Sequence, residues 1–317
     1  MYIESNYRPK VLLLGNGINN WSEYHSWIDL LTDLCDDPEI RKYLQSDPEK
    51  KTLPMSMQAV LATKDDILGA IKRYNANSKY KKINPFYGKI TSEKQVTVLQ
   101  KLLSAGFDCI LTTNYSYELE FAAKEIESVT SDYQIRKMAD SFQKPIENKY
   151  LIRSFNRVNY NGIENLIFHI HGEARKPNSI VLGHDYYARL LSKLVIESNN
   201  KGNQYQANQK NNVHQKIDSW IDLFLLGDVY VLGFGFDFAE IDLWCLLNRK
   251  KNEKASHGSV YFYDIWEDQI NERNMMLELM GVKTENFGIY RKKGSTKEFD
   301  QFYEKAIETI IDKVQQK

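Results

Sequence analysis

Short apolar runs alternate with helical patterns along this chain, and no other feature of the sequence restricts the fold as strongly. Each run is only three to five residues long, which is typical of strands buried in a sheet. The runs are Val11–Leu14, Cys109–Thr112, Leu166–Ile170, Ile180–Leu182, Val229–Leu232 and Val260–Tyr263. Strands that alternate with helices form a mostly parallel sheet covered by helices. We therefore predict an α/β fold.

Two segments have clear helical periodicity. Residues Ser92–Ala105 carry apolar side chains at helical spacing, and Gly106 is placed to end that helix. From about Thr296 large apolar residues recur at the same spacing. This pattern predicts a closing amphipathic helix whose apolar face packs on the core.

Two further segments differ from this pattern. Residues 36–90 are polar, contain four prolines and have a helical middle, so we predict a small helical insertion module there. Residues 198–212 are mostly Asn, Gln and Lys, which predicts a mobile surface loop or a lid. The length of 317 residues allows two lobes or one large α/β domain, and we expect a single domain over residues 1–317.

Composition excludes several classes of protein. Lys and Arg number 42, as do Asp and Glu, so the formal net charge is zero and no direct nucleic-acid binding is predicted. The three cysteines Cys35, Cys109 and Cys245 form no CxxC pair, which excludes a disulfide framework and a four-cysteine zinc site. No apolar run is long enough for a signal peptide or a membrane span. We expect a cytoplasmic protein without membrane contact.

Four unusual segments each follow a predicted strand directly. They are Gly15-Asn16-Gly17, Thr112-Thr113-Asn114, His171-Gly172 and Gly233-Phe234-Gly235. In an open parallel sheet the carboxyl ends of the strands form one edge, and ligands bind in the crevice there. We therefore expect the four segments to lie around one ligand.

The Gly15-Asn16-Gly17 segment is half of a dinucleotide fingerprint, in which glycines let backbone amides approach a pyrophosphate. The third glycine of the fingerprint is missing. The segment is therefore either a pyrophosphate-binding turn or a plain strand-to-helix turn. Asn16 either donates a hydrogen bond to a ligand or tolerates the geometry of the turn.

Thr113 and Asn114 precede a helical stretch that contains Glu118 and Glu120. In one interpretation, Thr113 or Asn114 caps that helix. In the other, Asn114 holds a ribose hydroxyl or a water in the crevice.

His169 and His171 alternate along a strand, so their imidazoles point to opposite faces. Only His171 meets Gly172, where the backbone can bend towards a ligand. A histidine is the usual proton acceptor in an enzyme, and a structural role is the alternative. No metal site is expected, because the two imidazoles cannot share an ion and the six histidines show no HxxxH spacing.

Gly233 and Gly235 lead into a helix that begins among Asp237, Glu240 and Asp242. These carboxylates either stabilise the positive end of the helix dipole or accept a hydrogen bond from a ribose hydroxyl.

Taken in order, the motifs resemble a known family. Gly-Asn-Gly precedes Trp27-x-x-Leu30-Leu31, Thr-Thr-Asn-Tyr precedes Leu119-Glu120, and His-Gly precedes Leu-Gly-Phe-Gly and Asp242. This set, from about Lys10 to Tyr263, resembles the sirtuin-type (Sir2) NAD-binding fold in its bacterial, antiphage-defence branch. The resemblance implies a Rossmann-like domain that binds NAD against a small helical module and cleaves the nicotinamide glycosidic bond.

The resemblance also assigns roles to residues. It implies that Asn114 and His171 are the catalytic pair and that the Gly-x-Gly turn binds the pyrophosphate. The residues expected to bind NAD are Gly15, Asn16, Gly17, Thr113, Gly233, Gly235 and Asp242.

The sequence also departs from this family. It has neither the four-cysteine zinc module nor the Gly-Ile-Pro-Asp-Phe-Arg-like segment of deacetylating sirtuins, so acetyl-lysine chemistry is not expected. Ser116 stands where many relatives have Asp after the Asn-Tyr pair. A hydroxyl still accepts a hydrogen bond but carries no charge.

We therefore expect an NAD glycohydrolase that releases nicotinamide, leaves ADP-ribose and depletes NAD in antiphage defence. NAD is its substrate, and no metal is expected. Two alternatives stay open: an NAD-dependent ADP-ribosyltransferase or deacylase, and a non-catalytic module that senses NAD or ADP-ribose. An unregulated NAD hydrolase would poison its host, so we also expect a homo-oligomer or a regulatory protein partner.

Overall fold

A computed structural model describes residues 2–21, 26–46, 52–76, 92–123, 149–174, 176–252, 258–265, 272–290 and 297–316. The described strands are β1 (Tyr2–Ile3), β2 (Lys10–Leu14), β3 (Cys109–Thr112), β4 (Asn156–Tyr160), β5 (Ile163–His169), β6 (Gln215–Lys216), β7 (Asp228–Leu232), β8 (Val260–Tyr263) and β9 (Val282–Glu285). The described helices are α1 (Trp27–Leu34), α2 (Pro38–Leu44), α3 (Met55–Thr63), α4 (Ile67–Ala76), α5 (Glu93–Leu103), α6 (Glu118–Ala123), α7 (His184–Glu197), α8 (Lys201–Lys210), α9 (Trp220–Leu226), α10 (Ile241–Asn252), α11 (Glu272–Leu279) and α12 (Lys297–Gln315).

Seven of the described strands form the main sheet, in the order β4-β5-β3-β2-β7-β8-β9. Among these seven, only the pair between β4 and β5 is antiparallel, and the other neighbours run parallel. Helices cover both faces, so the prediction of a Rossmann-like, mostly parallel sheet flanked by helices is confirmed. A separate antiparallel pair joins β1 to β6.

Strand register places the ends of the central strands side by side. Leu14, the last residue of β2, pairs with Thr112 on one side and with Leu232 on the other. Thr112 in turn pairs with His169 at the end of β5. The four motifs that follow these strands therefore start from the same edge of the sheet, as the sequence predicts.

Side chains of the central strands alternate between two hydrophobic cores. Val11 and Leu13 belong to the core beneath α7, α9 and α10, whereas Leu12 and Leu14 belong to the core beneath α5 and α12. All four side chains are buried. A strand with core on both faces has no polar face, which explains why its sequence reads as a continuous apolar run.

The helical module has its own core. Helices α1, α3 and α4 bury apolar side chains against Tyr115, Tyr117 and Phe121 at the start of α6. The helices predicted for residues 36–90 are present as α2, α3 and α4, and residues 77–91 lie outside the described residues. The helical middle is divided in two because Lys64 and Asp65 adopt left-handed backbone conformations.

One predicted strand is absent. Ile180, Val181 and Leu182 are fully buried but form no strand in the described structure. The amide of Val181 instead donates to the carbonyl of His171 at 2.8 Å. The hydroxyl of Tyr115 donates to the carbonyl of Val181 at 2.7 Å. The apolar run therefore reflects burial, and these two hydrogen bonds hold the segment without strand pairing.

The prediction of a loop at residues 198–212 is wrong, because residues Lys201–Lys210 form α8. Tyr205 is the one aromatic residue of this helix, and it is buried with its hydroxyl donating to Asp222 at 2.6 Å. Lys201 contacts the same carboxylate at 2.6 Å. Polar contacts hold this helix, so its sequence carries almost no apolar periodicity.

The other helix predictions agree with the structure. The pattern at Ser92–Ala105 forms α5, and the closing pattern forms α12. Among the described residues, no helix has the length and apolar content needed to cross a bilayer.

Asp222 is fully buried. Its carboxylate accepts hydrogen bonds from Tyr205 and Ser219 and forms an ion pair with Lys201. We expect Asp222→Asn to lower the free energy of unfolding by about 2 kcal/mol, because Lys201, which is 18% exposed, loses its buried counter-charge. Urea unfolding followed by circular dichroism measures this change.

Asp218→Asn is the matched control. Its carboxylate is partly exposed and pairs only with Lys216 at 3.1 Å, so its loss should change stability by less than about 1 kcal/mol. Equal effects of the two substitutions would contradict the anchoring role of Asp222.

Candidate functional site

A cavity of about 680 Å³ lies over the carboxyl edge of the sheet. Trp27, Leu30 and Met55 of the helical module form one wall, and Phe299 and Tyr303 of α12 form another. Ligand pockets for molecules of cofactor size span about 300–1,000 Å³, so the space suits a dinucleotide. The indole Nε1 of Trp27 is buried, and no described residue hydrogen-bonds to it. It therefore offers a donor to a ligand.

Glycines at the edge allow two turns to pack against each other. A Cβ on Gly15 would lie 2.4 Å from the carbonyl oxygen of Gly233, and one on Gly17 would lie 2.8 Å from the Cα of Gly233. The amide of Gly17 donates to the Gly233 carbonyl at 2.7 Å. Gly233 has a φ of +67°, which disfavours any other residue. These glycines are required by backbone contact, and Gly17 and Gly233 also line the cavity.

Thr113 and Asn114 both line the cavity. The helix that follows begins only at Glu118, so the interpretation of either residue as its cap is wrong. Asn114 is buried, its amide nitrogen lies 3.5 Å from the Gly15 carbonyl, and its backbone N–H donates to Thr112 Oγ1 at 3.1 Å. Its side chain is held by the neighbouring strand ends while it faces the cavity.

His169 lies behind Asn114 in a buried polar network. Its Nδ1 is 2.8 Å from the Asn114 carbonyl, and its Nε2 is 2.9 Å from Oε1 of Glu120. Asn156 donates to the same Glu120 oxygen at 2.9 Å. Burial by itself would lower the pKa of His169. The charge and the hydrogen bond of Glu120 together have the larger effect and raise this pKa to about 9. A protonated His169 then donates to Asn114 and fixes its backbone.

His171 points the other way and lines the cavity. Its Nε2 is 2.9 Å from Oδ2 of fully buried Asp242, and its Nδ1 is 3.6 Å from Oε2 of Glu240. Burial opposes protonation, but the two carboxylates outweigh it and raise the pKa of His171. Gly172 permits this turn, because at its φ of +97° a Cβ would collide with the Ser179 carbonyl.

His171, Glu240 and Asp242 also form a group that could hold a cation, since their ligand atoms lie within 4.8 Å of one another. Within the described residues it is the only such group. The hydrogen bond between His171 and Asp242 gives two of these side chains a partner without an ion.

Glu118 is a second buried carboxylate at the cavity. Ser116 donates to it, with its Oγ at 2.5 and 2.6 Å from the two carboxylate oxygens, and Asn19 Nδ2 lies 3.4 Å away. Burial raises the pKa of Glu118 to about 7, although the Ser116 hydrogen bond opposes this. A carboxylate therefore lies at the cavity two residues after Ser116.

The far end of the cavity is formed by residues after β7 and β8. Asp264 lines it and forms an ion pair with Arg273. Arg273 also donates to the carbonyl of Gly235 at 2.7 Å. The late glycine turn is thus tied to the end of β8.

Most of the residues singled out from the sequence meet at this cavity. Those that line it are Asn16, Gly17, Thr113, Asn114, His171, Gly233 and Gly235. Gly15 and Asp242 do not: Gly15 packs beneath the Gly233 turn, and Asp242 bonds to His171 from behind. Among the described residues Asp242 therefore acts on the histidine, and its predicted contact with NAD stays untested.

Sequence reasoning missed several lining residues. Tyr187, Phe299 and Tyr303 come from helices remote in the chain, and their apolar spacing reads as core. The sequence pattern predicts only that Glu118 lies in a helix. Its position two residues after Ser116 is the signal that could have indicated a carboxylate beside that hydroxyl.

Comparison with known proteins agrees with this geometry. Residues 108–284, more than half of the chain, match the SIR2-like domain family. The chain belongs to the SIR2-like domain family. A search of curated proteins gave no match. SIR2-like domains bind and use NAD, so the function of this SIR2-like protein is related to NAD.

Glu120→Gln should remove the counter-charge of His169. The raised pKa of His169 contributes stability that is present below its unfolded value of about 6.5 and is lost as pH rises through about 9. The free energy of unfolding should therefore be higher for wild type than for Glu120→Gln. The difference should be largest at pH 6, on the order of 3 kcal/mol, and smallest above pH 9. Urea unfolding at several pH values measures this difference.

Glu164→Gln serves as the control, since Glu164 pairs with Arg157 on the exposed edge strand. Its difference from wild type should stay small and nearly constant from pH 6 to 9. A difference between wild type and Glu120→Gln that does not narrow with rising pH would contradict the ion pair.

Proposed function

We propose that this SIR2-like protein is an NAD glycohydrolase that cleaves NAD to nicotinamide and ADP-ribose. The observation that carries the proposal is the meeting of Asn114 and His171 in one cavity at the carboxyl edge of the sheet. Both side chains come from different strands and are almost fully buried. Both are polar side chains that line a cavity of about 680 Å³, large enough for a dinucleotide.

The reaction asks little of the protein beyond positioning and activation of water. As the glycosidic bond breaks, C1′ of the ribose acquires oxocarbenium character, and the bonding electron pair leaves with nicotinamide, which becomes neutral. No general acid is needed for this leaving group. A water then forms the new bond to C1′ and loses a proton.

Each half of the pair has a role in this chemistry. Asn114 orients the ribose or the attacking water through its amide, which the strand ends and His169 hold in place. His171 accepts the proton, since Asp242 holds Nε2 and leaves Nδ1 towards the cavity side. Such general-base help is worth about 10²–10⁴-fold in rate.

The binding residues follow from the same arrangement. The turns at Gly17 and Gly233 bring backbone close to a bound pyrophosphate, and Asn16 and Thr113 add polar side chains to the same wall. Gly15 supports this wall from below by its contact with Gly233.

The biological setting proposed for this activity is NAD depletion in antiphage defence in the bacterial cytoplasm, and it rests on the family resemblance. Such an activity needs control, so we propose a homo-oligomer or a regulatory protein partner. Sedimentation and activity measured on the same sample test this: a monomer fully active alone would contradict it.

Asn114→Ala and His171→Ala should each lower nicotinamide release at least about 100-fold, because each removes a positioning or proton-accepting group. Proton NMR of NAD mixed with purified protein detects free nicotinamide and, by saturation transfer, bound NAD. Exposed His214 lines no part of the cavity, and His214→Ala should retain full activity.

Release that persists in both variants would refute the assignment of the pair. Binding of NAD by wild type without release would instead indicate a sensing module. ADP-ribose attached to protein rather than free in solution would indicate that the reaction is transfer and not hydrolysis.

A further inference from the structure

Glu240 is the last residue before α10, and its carboxylate lines the cavity beside His171. The side chain is 18% exposed. Its Oε2 is buried, and no described residue hydrogen-bonds to it. A buried carboxylate oxygen without a partner is costly, so it points to a donor that a ligand or a water supplies.

The imidazole beside it has one nitrogen left for chemistry. Asp242 lies 2.9 Å from Nε2, and its carboxylate can only accept, so Nε2 carries the proton. Nδ1 then holds the lone pair and faces Oε2 of Glu240 at 3.6 Å. This separation is too long for a direct hydrogen bond and short enough for one water to bridge the two atoms.

We propose that Glu240 is a further catalytic residue, which holds the attacking water together with Nδ1 of His171. This inference rests on the proposed function. The water donates one hydrogen bond to Oε2 and one to Nδ1. As its oxygen bonds to C1′ and the C1′–nitrogen bond breaks, its proton passes to Nδ1, and nicotinamide leaves with the electron pair. The imidazolium formed is stabilised by Asp242 and Glu240.

The charges around Glu240 set its pH dependence. Burial raises the pKa of its carboxyl group, and His171 opposes this effect. Tyr187 also lowers the pKa, as a hydrogen-bond donor from α7. The titratable groups that face the carboxylate are His171, Asp242, Asp237, Tyr187 and Tyr115.

In the active form, Nδ1 of His171 carries no proton and the Glu240 carboxylate is ionised. Activity therefore rises as the pH rises. Loss of the Glu240 charge lowers the pKa of His171, because one of its two stabilising carboxylates is gone. The acid limb of the kcat profile should therefore move to lower pH when Glu240 is neutralised. The shift of this limb reports the charge of Glu240 beside His171, and the fall in kcat reports its hold on the water.

The test compares Glu240→Gln with wild type in NAD cleavage from pH 5 to 9. We expect kcat to fall about 100-fold or more, the NAD dissociation constant to stay within about threefold, and the acid limb to move to lower pH. Glu240→Ala should lose similar activity and regain part of it with added formate, which supplies a carboxylate. Glu272→Gln, an exposed glutamate at the start of α11, should behave as wild type.

Other outcomes overturn the proposal. A kcat within threefold of wild type with an unmoved acid limb excludes Glu240 from the reaction while the proposed function stands. Activity lost on dialysis against EDTA and restored by zinc or manganese would make the trio a metal site instead. Absence of nicotinamide release by wild type would remove the proposed function, and this inference with it.

Discussion

Close contact between two glycine turns is the constraint on which the site depends. The turns after β2 and β7 approach so nearly that a Cβ on Gly15 would lie 2.4 Å from a backbone oxygen of the other turn. Because the two strands are neighbours in parallel register, their ends meet at the same level. The contact closes the floor beneath the cavity and fixes where Asn114 is held, since its amide lies against the Gly15 carbonyl.

Electrostatics then divides the site into two carboxylate–histidine pairs with different surroundings. His169 and Glu120 are buried in the interior, where their mutual attraction keeps the histidine charged. The charged imidazole donates a hydrogen bond to the backbone carbonyl of Asn114. His171 lies at the cavity wall with one carboxylate behind it and a second in front. The alternation of side chains around a strand end separates the pairs, although only one residue lies between the two histidines.

Much of the fold and part of the site could be predicted from the sequence. Runs such as Val11–Leu14 and Cys109–Thr112 are strands because their residues are apolar on both faces, and the structure places them as the central pair. The same reasoning failed at Ile180–Leu182, which is buried without pairing, and at residues 198–212, where Tyr205 and Asp222 hold a helix by polar contacts. The sequence did not reveal that Asp242 hydrogen-bonds to His171, and its contact with NAD stays a prediction.

The sequence by itself determined the parallel sheet, the shared edge and the glycine, asparagine and histidine residues that occupy it. Those features follow from local rules: apolar runs make strands, strand ends share an edge, and glycine permits close turns. Only the tertiary structure decided which carboxylates face which histidine, that Glu118 enters the cavity and that α12 supplies a wall. These depend on helix packing between residues far apart in the chain, for which spacing along the sequence carries no information.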